Sequence, residues 1–335
     1  MERLVLGVDI SKASFVAALW LGKQAQDLGV MANEPGGFGQ LHEQVSVYQR
    51  QTNAQRIHLI VEPTGGYELA LVAFAYSQNW DVSLPNPKQV RDWAKGEGRR
   101  AKTDRQDARL LAQFGADKRP QPQQPLAREV SELDTLLKRR QDLEQLLRQE
   151  KNRLGELQGR PGVPPAVEHS LQEVIVALEK ALAELEAAIT QHLRQYDHLQ
   201  QQADRLLSLP GIGQKNVLPL LVLLYRWHTL THGQGSAKGL TALVGLDPQP
   251  FESGSSVRRT ASISHMGNAE VRRLLYMGAL GALHGQNPLH DFYDRLVGRG
   301  KAKKLALVAA SRKLLTWSWA IFSTGTVWNP ALLVT

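Results

Sequence analysis

Two short, strongly apolar runs, each carrying or delivering a carboxylate, constrain this 335-residue chain more than any other feature. Leu4 to Ile10 holds Asp9 near its end, and Arg56 to Val61 leads directly into Glu62. Runs of that length and character read as buried strands, which need cover on both faces. Phe15 to Leu21 reads as a second strand, reached by a tight turn through Ser11 to Ser14, and Gln24 to Val30 as a third, returning edge strand. Pro35 to Arg50 has a helical pattern, Thr64-Gly65-Gly66 is a turn, and Tyr67 to Gln78 is a helix. Asp81 to Leu84 is a further strand, stopped by Pro85-Asn86-Pro87, and Thr103 is an N-cap for a helix continuing to Phe114. Hairpin strands followed by strands alternating with helices predict an α/β block over residues 1–120, a mixed sheet covered by helices.

Pro120-Gln121-Pro122-Gln123-Gln124-Pro125 has the composition of a linker. Beyond it, Leu133, Leu136, Leu143, Leu147, Leu154 and Leu157 recur at helical spacing, and residues 159–165 break the pattern. Leu171, Ile175, Leu178, Leu182, Leu185 and Ile189 then follow a heptad seam. Residues 121–203 therefore read as a helical coiled-coil middle. A hairpin packing on itself satisfies the pattern, but the polar faces outside the seams favour a role in oligomerisation. Residues 204–335 read as mainly α-helical with one loop-rich insertion.

The formal charge is +8, and residues 251–335 hold eleven Lys/Arg against four Asp/Glu, so the surplus is concentrated there. Such a patch suits a polyanion, nucleic acid before an anionic membrane. No apolar run approaches a membrane span, and the N-terminus lacks a signal-peptide pattern. Cysteine is absent, which excludes disulfides, thiolate metal sites and cysteine nucleophiles and fits a reducing cytoplasm.

Four carboxylates stand where chemistry could sit. Asp9 and Glu62 lie at strand ends; Asp104 and Asp107 are three apart and share a helix face, a spacing at which like charges repel. Singly, each has an ordinary explanation as a turn former, a loop residue or a helix-start acid. Together, with Lys102, Arg105 and Arg109 among them, they read as a hard-oxygen set for Mg²⁺, suited to phosphoryl transfer. A second cluster, Phe251 to Arg259, sets Ser253, Ser255 and Ser256 among small residues beside Arg258 and Arg259; it is either a serine-rich surface loop or an exposed hydroxyl, from any one of these serines, near a phosphate. Leu209-Pro210-Gly211-Ile212-Gly213-Gln214-Lys215 is either a plain connection between helices or a backbone cradle for phosphate. Lys88 to Arg109, with Trp93 among basic residues, is either a solvated face or a track for a nucleic-acid backbone.

At these residues the chain resembles the DEDD-type insertion-sequence transposases, a bridge-RNA-guided family of recombinases acting through a serine that includes Piv-type DNA invertases. The resemblance rests on Gly7-Val8-Asp9 with Lys12, Glu62-Pro63-Thr64-Gly65-Gly66-Tyr67, Asn86-Pro87 and Lys102-Thr103-Asp104-Arg105-Gln106-Asp107-Ala108. Pro210-Gly211-Ile212-Gly213, Gly245-Leu246-Asp247-Pro248, Ser253-Gly254, and Gly267-Asn268 with Arg272-Arg273-Leu274-Leu275-Tyr276 continue it in the same order. It implies a RuvC-like, RNase H-like N-terminal domain holding Mg²⁺ with Asp9, Glu62, Asp104 and Asp107. It further implies a C-terminal transposase domain in which Ser253 forms a phosphoserine link to DNA. Implied partners are donor and target double-stranded DNA, a structured guide RNA, and further copies of the chain as dimers assembling to a tetramer. Lys102, Arg105, Lys215, Arg258, Arg259, Arg272 and Arg273 are the expected nucleic-acid contacts.

Overall fold

The computed structural model describes residues 2–98, 104–253, 257–264 and 267–330; the side chains of residues 104–105 and 249–262 lie outside that description. Thr103 and Lys102 fall outside it as well, so the expected N-cap and that basic contact have no structural account. The chain forms two compact units, Met1–Pro125 and Leu126–Thr335.

The first unit opens with β1 (Arg3–Ile10), β2 (Ser14–Trp20) and β3 (Ala25–Ala32). There follow α1 (Pro35–Thr52), β4 (Arg56–Val61), α2 (Leu69–Ser77), β5 (Asp81–Ser83), α3 (Pro87–Gly96) and α4 (Asp104–Lys118). The sheet order is β3-β2-β1-β4-β5, with β1 antiparallel to β2 and parallel to β4. That mixed order, a hairpin meander continued by parallel strands, is RNase H-like.

Strand alternation explains the two apolar runs. Leu4, Leu6, Val8 and Ile10 share one face with Phe15, Leu19, Ile57, Leu59 and Val61, packed with Phe38, Leu41 and Val45 of α1 and Leu71, Val72 and Ala75 of α2. On the opposite face Val5 and Ile60 meet Val90 of α3 and Leu111 and Phe114 of α4. Helices thus cover both faces, which is why the strands read as continuous rather than alternating. Helix α3 lies within the stretch that sequence leaves open as a basic track; Asn86 caps it by accepting from the Lys88 N–H at 2.8 Å.

The Pro120–Pro125 segment is not a free linker. The Gln123 N–H donates to the Val82 carbonyl at 2.7 Å, Tyr76 Oη donates to the Gln123 carbonyl at 3.2 Å, and Ser83 Oγ donates to the Gln121 carbonyl at 3.0 Å. Ser83 also shares a 2.8 Å hydrogen bond with the buried His58 ring. Burial, resisted by nearby Asp81 and assisted by Arg3, lowers the His58 pKa to about 4. The unfolded chain therefore binds a proton that the folded chain refuses between pH 6.5 and about 4. Stability should fall as pH drops through that window, by on the order of 3 kcal/mol from this group. Urea midpoints of the parent should show the fall and those of His58→Leu should show much less; equal slopes would refute the assignment.

The second unit comprises α5 (Arg128–Leu157), α6 (Pro165–Gln195), α7 (Asp197–Leu207), α8 (Val217–Leu230), α9 (Ala237–Val244), β6 (Pro248–Ser253), β7 (Val257–Ile263), α10 (Ala269–Ala282), α11 (Pro288–Gly298) and α12 (Lys303–Thr324). Helices α5 and α6 are the two seam-bearing segments. They pair with each other as an antiparallel hairpin: Lys151 reaches Glu179 at 2.7 Å, and the His192 ring meets the Glu129 carbonyl at 2.7 Å. The seam is thus used within the chain, where a heptad pattern alone cannot distinguish a self-partner from a second copy. By packing, residues 121–203 are not a separate body, because Val130, Leu133, Leu137, Ile189 and Leu193 belong to the same core as α7, α8, α10 and α12. The insertion expected as loop is a two-stranded antiparallel hairpin, β6–β7.

Candidate active site

Register places the first two carboxylates. Val8 of β1 is opposite Val61 of the parallel strand β4, so Asp9 and Glu62 come next to each other one step beyond that rung. Both are half-buried. Alternation puts Asp9 on the face of Val5 and Gly7, and Glu62 on the face of Ile60, which is the face covered by α4.

The helix that carries Asp107 packs closely on the sheet. A Cβ on Gly7 would lie 2.2 Å from the Ala108 carbonyl oxygen and 2.3 Å from the Ala112 nitrogen, so only glycine lets α4 approach β1 there. Gly115 does the same further along, against Ile60 and Val5. Arg109 closes the far side through a bidentate ion pair with Asp27 of β3. This clamps the helix across the sheet with half-buried Asp107 immediately before Ala108. Asp104 begins α4 one turn earlier on the same helix face, and its side chain lies outside the described residues. Among the described residues no three histidine, aspartate or glutamate side chains form a metal-binding group. The donor chemistry nevertheless fits a hard divalent cation: carboxylate oxygens from two neighbouring strand ends and one crossing helix.

Two polar residues that sequence reading did not single out hold the strand-end loops. Glu68 is buried, and its Oε2 accepts from the Thr64 N–H at 3.0 Å, Thr64 Oγ1 at 3.2 Å and the Gly66 N–H at 3.0 Å. Burial alone would raise its pKa, but these donors together outweigh it and hold the carboxyl below the usual range. Asn33 spans two loops, its Nδ2 donating to the Ser11 carbonyl at 3.0 Å and the Tyr67 carbonyl at 3.1 Å. The available signals were slight: an acid four residues after Thr64 in the glycine turn, and an Asn just ahead of a Pro-initiated helix.

In the second unit Ser253 is the last residue of β6, opposite Val257. Arg258 and Arg259 are opposite Glu252 and Phe251, and the side chains of all these residues are outside the description. The base of the hairpin is well held. The Ser264 N–H donates to the Asp247 carbonyl at 3.1 Å, and Ser264 Oγ donates to the Asp247 carboxylate. Arg272 Nη1 donates to the carbonyls of Val244 at 3.0 Å and Gly267 at 2.7 Å, and so fastens the hairpin base to α9. Arg273 forms a bidentate pair with Glu270. These two arginines, expected as nucleic-acid contacts, thus have structural partners in the chain itself. In the α7–α8 turn, Gly211 packs against Gly278 so closely that a Cβ would lie 2.6 Å from the Gly278 oxygen. Asn216 locks that turn, its Oδ1 accepting from the Gly213 N–H at 2.6 Å, and Lys215 beside it is exposed.

A mixed sheet of this order, with acids at adjacent ends of its central parallel strands and on the crossing helix, defines the class: an RNase H-like domain. Comparison with known proteins narrows it. A DEDD-type IS110 profile described as "Transposase" matches residues 6–157, and one described as "Transposase IS116/IS110/IS902 family" matches residues 203–294. The pilin gene-inverting protein of Moraxella lacunata is 32% identical over 326 residues, 96% of each chain, and that of Moraxella bovis agrees to the same extent. An uncharacterised protein of insertion element IS110 from Streptomyces coelicolor is 27% identical over 128 residues, 37% of this chain and 29% of that one. Among solved structures, T. thermophilus RuvC in complex with a Holliday junction substrate is similar over 36% of this chain and 99% of its own at 15% identity, with a TM-score of 0.26. The chain belongs to the IS110 family of transposases. Among the described residues no helix is long and apolar enough to cross a membrane.

Proposed function

We propose that this transposase cuts and rejoins DNA strands with Asp9, Glu62, Asp104 and Asp107 as Mg²⁺ ligands and Ser253 as nucleophile. The observation that carries the reading is the register of Asp9 beside Glu62, with Gly7 cleared for the helix on which Asp107 lies. A divalent cation held there supplies charge stabilisation to the reacting phosphodiester. The carboxylates orient it, and half-burial limits competing water around them. Ser253 Oγ attacks phosphorus: a serine–phosphate ester forms, the bond to the leaving deoxyribose oxygen breaks, and the serine proton ends on that oxygen. A sugar hydroxyl of the incoming strand reverses the exchange and restores the serine, so no bond energy is lost to hydrolysis. Support for the serine is its place at a strand end of a firmly based hairpin, with Arg258 and Arg259 on the paired strand to offset phosphate charge.

Lys102, Arg105 and Lys215 add phosphate contacts in this reading, and Arg272 and Arg273 contribute through the hairpin base that they brace. The family resemblance extends the proposal to a structured guide RNA that pairs with donor and target DNA, and to dimers that join as tetramers. A second reading rests on the adjacent Asp9 and Glu62 alone: water attacks, and the protein acts as a nuclease.

Plasmid recombination between the element's own junctions tests both. Asp104→Asn and Ser253→Ala should each abolish joining. Parental joining by Asp104→Asn would sink the carboxylate half. A Ser253→Ala chain that cuts DNA at the parental rate would replace the serine by water.

A further inference from the structure

The loop after Glu62 is built more rigidly than a connection needs, and it presents apolar surface. Gly65 and Gly66 take left-handed φ values of 78° and 113°, and the Glu68 carboxylate gathers the loop's donors from within. On that frame Tyr67 is 46% exposed and Leu69 60% exposed. A tyrosine left half in water on a braced loop is not there for the core, since the loop's polar contacts run through Glu68 and the Tyr67 carbonyl.

Asn33 joins this loop to a second one. By binding the Ser11 and Tyr67 carbonyls with one amide nitrogen, it ties the loop leaving β1 to the loop leaving β4. Lys12, next to Ser11, is exposed. An aromatic ring and a cation are therefore carried on two loops clasped together, at the same ends of the parallel strands that bear Asp9 and Glu62. In parallel sheets, ligands bind outside those strand ends.

We propose that Tyr67 and Lys12 form a subsite for a single DNA strand entering the carboxylate site, with a base stacked on Tyr67 and a phosphate at Lys12. Stacking tolerates any base, because every base has a π-face, whereas the lysine contact is ionic and salt-sensitive. Such a subsite would hold an unpaired strand against the reacting phosphate. The inference rests on DNA reaching the carboxylates, as proposed above.

The test uses the full chain with Ca²⁺ in place of Mg²⁺ and a mixed-sequence single-stranded DNA carrying 5-iododeoxyuridine. Irradiation should cross-link the DNA to the peptide containing Tyr67. Tyr67→Ala should weaken binding roughly tenfold, while Tyr67→Phe, which keeps the ring, stays near the parent. Lys12→Ala should lower the slope of log affinity against log salt by about 0.7. No cross-link on that peptide, parental binding by Tyr67→Ala, an equal loss in Tyr67→Phe, or a loss confined to RNA of the same sequence would overturn the subsite. An unchanged salt slope in Lys12→Ala would remove the lysine from it. If Glu62→Gln no longer cuts DNA but Tyr67→Ala binds as the parent does, this inference alone fails. If Glu62→Gln still cuts, the active-site reading fails with it.

Discussion

A Gly7→Ala chain is expected to lose at least about 3 kcal/mol of stability in its N-terminal unit, an unusually large effect for one methyl group. The added carbon would fall 2.2 Å from the Ala108 carbonyl oxygen and 2.3 Å from the Ala112 nitrogen. Both are helix backbone atoms and cannot rotate away as a side-chain end would. Helix α4 would have to lift from β1, opening the contacts of Leu111 and Phe114 with Val5 and Ile60 and pulling on the Arg109–Asp27 pair. Asp107, adjacent to Ala108, would move with the helix. Gly39→Ala in α1 is the matched control: a Cβ there meets nothing within 4 Å, and alanine in a helix interior is neutral or mildly stabilising. Urea unfolding of the two full-length variants measures the difference. Equal midpoints would mean that α4 does not sit against β1 as described.

The second large effect is on chemistry. Glu62→Gln keeps the side chain's shape and removes its charge, and DNA cutting should fall roughly 10³-fold, corresponding to several kcal/mol of lost transition-state stabilisation. Stability should hold, because Glu62 lies past the last β4 rung and is half-buried rather than in the core. DNA affinity measured without divalent cations should not decrease, since the change removes a negative charge facing a polyanion. Cutting within a few-fold of the parent would exclude Glu62 from the reaction. A joint loss of stability and cutting would instead mark it as structural.

The central sheet was legible because its strands are short apolar runs with turn residues between them, and the structure reproduces those from Leu4 to Ile10 and from Arg56 to Val61 within a residue or two. The pairing of Asp9 with Glu62 was only half legible. Sequence places each at a strand end, but adjacency needs the parallel register of β1 and β4. Charge hid α3, whose Lys88, Arg91 and Lys95 read as a basic track although Val90 and Ala94 are buried. Composition misled at Pro120–Pro125, where main-chain pairing to Val82 turns a linker-like stretch into part of the first unit. It misled again at the serine-rich segment, where Phe251, Glu252 and Ser253 of β6 pair with Arg259, Arg258 and Val257 of β7. The heptad seam of α6 was visible but its partner was not, since a repeat records a buried stripe and not whose stripe covers it. Asn33, Glu68 and Arg272 act through polar contacts to backbone that leave almost no periodic trace in the sequence.

The most direct test of the account is to look for its covalent intermediate. Full-length protein would be incubated with Mg²⁺ and junction DNA carrying a nick just past the cleavage point, so that the leaving fragment diffuses away and rejoining is blocked. The account predicts a protein–DNA adduct whose digestion yields one nucleotide-bearing peptide modified at Ser253, absent in Ser253→Ala and in Glu62→Gln. DNA cut at the parental rate with free ends, and with no adduct on any serine of the β6–β7 hairpin, would contradict it.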